Sequence, residues 1–404
     1  SDYRDSGHRL AVPIIIYPMR KPLLVLLLLA AWVQLLAAER FEIVDPSGDD
    51  FGSGELIYPN RGDLRLGDLD IVAFSAENDD GGTWFTARFQ NPIRGPETEV
   101  TELGQVPISR IARHGFYTLN IDVYIDTDVI PGSGNTDGLP GRKISIDPVT
   151  AWEKTVLLTP RPGVARSLLA SHFERVEEQA LRAEEGRVTA DDRKRIAASV
   201  QSRLNALYFM PDRIRVRNRD IRFFVPADFL GGHASEDWAY TVLVTGADIE
   251  QTMRLTNRSD DFRLMNLPVE RGISFRTFGL RGESDVEQPP VVDYVNPRVG
   301  WQKARLSDYN LVRNLYASVV GVIPSGKTLD VAPQVNRNLP PPEPAVRRPP
   351  ADTRRAAPTA EPAAPIPTGE SLADRLRAIR ALRDQGVLTE DEYQTIRRRL
   401  LSEY

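Results

Sequence analysis

Between Leu119 and Ile125, apolar residues alternate with polar or amphipathic ones: Leu119, Ile121, Val123 and Ile125 against Asn120, Asp122 and Tyr124. A period of two sorts side chains onto two faces only in an extended strand, so this stretch predicts a half-buried antiparallel strand with Asp122 on its solvated side. Strand-forming text of the same kind runs over 71–75, 83–90 and 155–159, broken by the turn formers Asn91-Pro92, Pro131-Gly132 and Leu139-Pro140-Gly141. It returns at 213–225 and 238–245, with shorter apolar pieces to about Ile323. Residues 39–330 therefore read as a mainly β domain with antiparallel strands. Cysteine is absent, which removes disulfides, thiolate zinc sites, cysteine nucleophiles and acylated lipoprotein anchors together. Stability has to come from core burial and from any bound metal.

One segment breaks the β pattern. From 164 to 210 the period becomes helical, with Leu168, Leu169, Phe173, Val176 and Ala180, then Ile196, Val200, Leu204 and Leu207. Gly186 can take the left-handed conformation that ends a first helix, and Thr189 with Asp192 can cap a second. The pair reads as an insertion into the β domain. Upstream, Arg20-Lys21 precedes a run of roughly 16 apolar residues ending at Ala37-Ala38, the layout of a signal peptide over 19–38, either cleaved or kept as a signal anchor. Residues 1–18 carry no initiating Met and precede one, and are expected not to be native. The expected location is outside the cytoplasm, periplasmic or at the cell surface. From 331 to 370 proline recurs at roughly one residue in four with no apolar period, which predicts a proline-rich disordered linker. Residues 371–404 then read as a C-terminal α-hairpin, with Leu376 and Ile379 on one helix and Tyr393 and Ile396 on the other. Hairpins this small need a partner surface, so self-association or docking through these four residues is expected.

Five segments in order carry a resemblance. DPSGDDFGSGELIYP from Asp45, GDLDIVAFSAE from Gly67, GFYTLNIDVYIDTD from Gly115, AWEKTVLL from Ala151 and WAYTVLVTG from Trp238 resemble the C-terminal binding module of glucodextranases over about 41–325. That module is a DOMON-like β-sandwich, similar to surface-layer attachment modules, and the resemblance implies a carbohydrate ligand, an α-glucan or an envelope polysaccharide. The chain departs from the family at Ser53, where a proline is usual, at Ile93, where an aromatic is usual, and in the helical pair. The tail from Leu372 resembles the short helical hairpin called SHOCT, at Gly386, Thr389, Glu392 and Tyr393, which implies a role in association.

Lys and Arg total 51 against 56 Asp and Glu, a formal charge of −5, so nothing in the overall balance suggests nucleic acid as a partner. Asp45, Asp49 and Asp50 flank a glycine turn, and Asp126 and Asp128 close the Leu119–Ile125 strand. If the two acidic turns meet, they offer the oxygen-rich shell that Ca²⁺ takes; the alternative is that these aspartates only bond their own turns. Trp84, Trp152 and Trp238 are the candidates for stacking on sugar faces, or else core fillers of the sandwich. No GxSxG, HExxH or Walker loop occurs, and the four histidines are scattered. The sequence thus predicts an exported, non-catalytic, calcium-supported glycan- or envelope-binding module. Its rivals are a structural envelope protein that binds other proteins and an α-glucan-acting hydrolase.

Overall fold

The computed structural model describes residues 40–96, 102–103, 106–250, 262–281, 287–310, 315–327 and 329, together with Leu376, Ile379, Arg380, Arg383, Tyr393, Gln394 and Arg397. The expected upstream extension, signal segment and linker, and Ile396, lie outside the described residues. In chain order the strands are Arg40–Val44 (β1), Leu56–Ile57 (β2), Ile71–Asp79 (β3), Gly82–Phe89 (β4), Glu102–Leu103 (β5), Val106–Pro107 (β6), Leu119–Asp126 (β7) and Ile144–Ile146 (β8). They continue as Lys154–Leu158 (β9), Tyr208–Phe209 (β10), Ile214–Arg217 (β11), Asp220–Pro226 (β12), Ala239–Gly246 (β13), Gly279–Leu280 (β14), Asp293–Tyr294 (β15) and Ala317–Val319 (β16).

Ten of these strands form two five-stranded sheets, ordered β1-β3-β4-β12-β11 and β10-β9-β7-β13-β15. Pairing within them is antiparallel except where the short β10 runs parallel to β9. The sheets face each other across one apolar core, with Phe74, Phe85, Phe89 and Phe223 from the first and Ile121, Val123, Val156, Val242 and Val244 from the second. Bulky aromatics on one side and β-branched residues on the other fill a sandwich interior about 10 Å deep. The fold is an antiparallel β-sandwich.

The helical pair covers the outer side of the second sheet. Pro162–Glu185 (α1) starts on a proline at its first position, where no backbone donor is lost, and ends at Gly186 with φ +76°. Ala190–Leu207 (α2) opens on a full capping box between Thr189 and Asp192. Leu168 and Leu169 of α1 and Val200 and Leu204 of α2 pack on Tyr124, Trp152, Leu157 and Leu243 in a second core. His172, the one histidine on α1, is a core filler: it stacks on Phe262 at 4.3 Å.

This third layer corrects the expectation for the Leu119–Ile125 strand. Every residue of β7 is buried, not alternate ones. Its apolar face meets the first sheet; on its polar face Tyr124 packs with the helices, while Asn120 and Asp122 lie under the segments that carry Arg142 and Leu264–Asn266, so Asp122 is not solvated but wholly enclosed. Burial on that scale requires a partner for each polar group. Arg142 supplies the main one, holding Asp122 through Nε at 2.5 Å and Nη2 at 3.0 Å while Nη1 donates to Leu264 O and Asn266 Oδ1. Asn120 donates to Met265 O at 2.9 Å, and the Tyr124 hydroxyl accepts from Leu139 N–H at 2.8 Å. Among the described residues, no helix is long and apolar enough to cross a membrane.

Candidate metal centre

At the end of β1 the chain leaves the sheet and folds over 45–60 as a loop that returns twice on itself. Gly52 makes this possible: its φ is +60°, and a Cβ there would lie 2.6 Å from Val291 O. Asp45, Asp49 and Asp50 from this loop meet Asp70, just before β3, and Asp293, the first residue of β15. One oxygen each of Asp45, Asp49 and Asp293 lies within 4.8 Å of the other two. Asp70, Asp293, Asp50 and Asp45 are buried, and Asp49 is half-buried.

Backbone amides orient these carboxylates. Asp45 Oδ1 accepts from Asn296 N–H at 2.5 Å, and Asp70 Oδ2 from Gly48 N–H at 2.5 Å. Asp293 takes Ile71 N–H on one oxygen and its neighbour Tyr294 N–H on the other, both at 2.7 Å. Asp50 accepts from Gly67 N–H at 2.7 Å and from the Tyr58 hydroxyl. Gln302, on the short helix Trp301–Leu306, fixes the loop by donating to Asp49 O at 2.5 Å. What remains is a set of unpaired oxygens: Asp45 Oδ2, Asp49 Oδ1 and Asp70 Oδ1 are buried without a hydrogen-bond partner. Among the described residues no ion pair reaches Asp45, Asp49, Asp50, Asp70 or Asp293, whereas the neighbouring Asp63 and Asp68 have Arg61 and Arg94.

Acids packed together away from water resist ionisation. Burial, reinforced by Asp49 and Asp70, pushes Asp45 up to about 8. Burial and the charges of Asp50 and Asp49 push Asp70 up to about 7. Burial likewise holds Asp293 well above the usual carboxylate range, with Asp45 and Asp49 adding to it, and raises Asp49 and Asp50. Such a centre is costly with its carboxylates ionised and bare; protons or a hard cation relieve it.

The acidic turn after β7 does not join this centre. Asp126 stands opposite Ala239 in the register of β7 with β13, and Asp293 opposite Val244 in that of β15 with β13. Five residues of strand, roughly 16 Å, separate those positions. Asp126 and Asp128 gather instead with Glu153. Most of their oxygens are already bonded: Asp126 Oδ1 accepts from Asp128 N–H and Val129 N–H, Asp128 Oδ1 from Ile130 N–H and Ser133, and Glu153 Oε2 from Thr127. Asp126 Oδ2 alone is a buried orphan there.

Nor do the three tryptophans share a face. Trp84 lies on the outer side of the first sheet against Phe224, under the guanidinium groups of Arg213, Arg215 and Arg222. Trp152 is in the second core, between Tyr124 and Tyr208, with its indole N–H on Asp137 O. Trp238 is half-buried against the main core. Sequence reasoning passed over Phe275, which is 69% exposed. Its loop is tied to the loop that supplies the acids, because Asn60 N–H donates to Ser274 O at 3.0 Å. Asp70 and Asp293 were missed as well, although an aspartate inside the apolar run Val291-Val292-Asp293-Tyr294-Val295 is a visible signal. An open surface cleft of about 450 Å³ beside α1 is lined by Arg110, Arg113, His114 and Arg161, and by no carboxylate.

Sandwich, covering helices and acidic centre together define a β-sandwich module with a cation-compatible site. The chain belongs to the family of the C-terminal, SLH-like binding module of glucodextranase, whose profile matches residues 41–321. Residues 374–401 match the short C-terminal domain SHOCT. A search of curated proteins returns no match.

Proposed function

We propose that this chain is an exported, non-catalytic module that binds a carbohydrate of the cell envelope, braced by Ca²⁺ at Asp45, Asp49, Asp70 and Asp293. The observation that carries the metal is the set of buried, unpaired carboxylate oxygens on three of these residues, with no basic side chain paired to them. Oxygen-only donors in an irregular loop cluster suit Ca²⁺, which takes 6–8 oxygens in flexible geometry. Asp126 and Asp128 are not assigned to the ion, since their oxygens are largely committed to the turn after β7. Family membership supports glycan binding and a place at the cell surface. The bracing has a purpose in this reading: the 45–60 loop holds the loop that carries Phe275, an exposed ring fit to stack on a sugar face.

A second reading, a structural envelope protein that binds other proteins, is favoured by the dispersal of Trp84, Trp152 and Trp238 over different faces. A third reading, hydrolysis of α-glucans, needs two carboxylates flanking a bound sugar. The test is retention of the full chain on insoluble α-glucan and on purified envelope polysaccharide, in calcium or chelator, with released sugar measured. Calcium-dependent retention without sugar release, reduced at least about tenfold by Phe275→Ala at unchanged melting temperature, is expected. Failure to bind any glycan favours the protein-binding role, and sugar release restores the enzyme.

A further inference from the structure

Helix α1 is longer than the sheet it covers needs. Its first half, with Ala165, Leu168 and Leu169, belongs to the second core. Val176 and Ala180, further along, do not; they form a separate apolar cluster with Leu376 and Ile379 of the C-terminal segment. Leu376 is fully buried there. Charge complements the apolar contact. Arg397 reaches Glu177 Oε2 at 3.1 Å and Glu184 Oε1 at 3.4 Å, and Arg380 lies 4.0 Å from Glu185. Glu177 and Glu184 are seven residues apart, so they fall on one side of the helix and bracket a single guanidinium. Tyr393, also buried, lies under Arg383 at 4.5 Å. Burial alone would lower the pKa of the Arg397 guanidinium, and the charges of Glu177 and Glu184 more than offset it.

We propose that the outer half of α1 is the receptor for this chain's own C-terminal hairpin, and that the two form a releasable intramolecular latch. An inserted helix that carries Val176, Ala180, Glu184 and Glu185 beyond the reach of the sandwich core is explained by what it holds; Glu177 serves both sides, since it also meets Arg203 of α2 at 3.4 Å. The chain between Gly326 and Leu376, about 50 residues, is long enough to allow the contact and short enough to give the hairpin a millimolar-range effective concentration over its site. Docking within one chain therefore outcompetes docking between chains at ordinary protein concentrations. It also takes the surface on which the association expected from the hairpin would otherwise act. Release is favoured by salt, which screens the Arg–Glu contacts, and by a competing partner with the same basic and apolar pattern.

Because the chain has no cysteine, a dye pair can be placed without background at Gln179→Cys and Gln394→Cys in the full chain. The expected result is strong energy transfer that does not change on dilution, with a monomeric solution mass. Arg397→Glu should lower the ratio of latched to open chains about tenfold, and adding Glu177→Arg and Glu184→Arg to that variant should restore it. The combined charge swap separates loss of the contact from loss of folding. Energy transfer that disappears on dilution, or that arises only between chains labelled singly, assigns the contact to two copies and overturns the latch. Transfer unaffected by Arg397→Glu overturns the ionic basis of the docking.

Discussion

The acidic centre makes a definite demand on how stability changes with pH. Asp45 has an unfolded pKa near the ordinary 3.8 and a folded one of about 8. The folded state thus keeps a proton that the unfolded chain gives up, and in chelator the protein must lose stability as pH rises between those values. One such carboxyl is worth about 1.4 kcal/mol per pH unit, hence about 2.7 kcal/mol between pH 5 and pH 7. In a domain of this size that is a fall in Tm of about 5–10 °C. Calcium competes for the same oxygens. At ~100-fold excess over its Kd it is expected to return up to about 2.7 kcal/mol as pH passes about 8 and Asp45 loses its proton, and little at pH 5. Asp45 and Asp293 titrate against each other, so Asp45→Asn also eases ionisation of Asp293, and the slope it removes is not smaller than one group's share. The assay is thermal unfolding of wild type and Asp45→Asn from pH 5 to pH 8, in chelator and in calcium. A chelator slope that is equal in both proteins, or a calcium shift that does not grow with pH, refutes the assignment.

Two further predictions concern the layers that hold the centre in place. Arg142→Met strands Asp122 as a lone buried charge, and should cost about 3–5 kcal/mol in chemical denaturation; replacing both residues with apolar ones should recover most of it. Trp152→Ala should cost about 3–5 kcal/mol through the cavity it leaves in the second core, while glycan retention by the protein that remains folded stays at the wild-type level.

The sandwich was legible because strand-forming text set between turn formers marks its strands, as over β3, β4 and β12. The third layer was half legible. Gly186, Thr189 and Asp192 announced the helix pair, but nothing local to Leu119–Ile125 told that Arg142 and the 264–266 segment would cover Asn120 and Asp122, or that Tyr124 would pack with the helices. A buried ion pair between Asp122 and Arg142 spans two turns and a strand, and reads in sequence like two surface charges. The acidic centre was legible where it is local, at Asp45, Asp49 and Asp50. Where distant strands contribute, Asp293 left a signal in its apolar run but nothing joined it or Asp70 to the 45–50 turn, and the register that sends Asp126 to the other end of β13 depends on pairings made far along the chain. Residue type left the tryptophans open between sugar stacking and core filling, and the packing of Trp152 between Tyr124 and Tyr208 places that ring in the second core.

The contacts that complete the acidic centre have a consequence for when it can form. Asn296 N–H reaches Asp45 across 251 positions, and Gln302 reaches Asp49 O across 253. A ribosome adding ~5–20 residues per second needs about 10–50 s to cover that span. For all of that time the carboxylates of the 45–50 loop have no Asp293 beside them and no amide from Asn296, and they remain ordinary, water-facing acids. The acidic centre is thus closed by late strands onto an early loop, and it is complete only when almost the entire sandwich has been made.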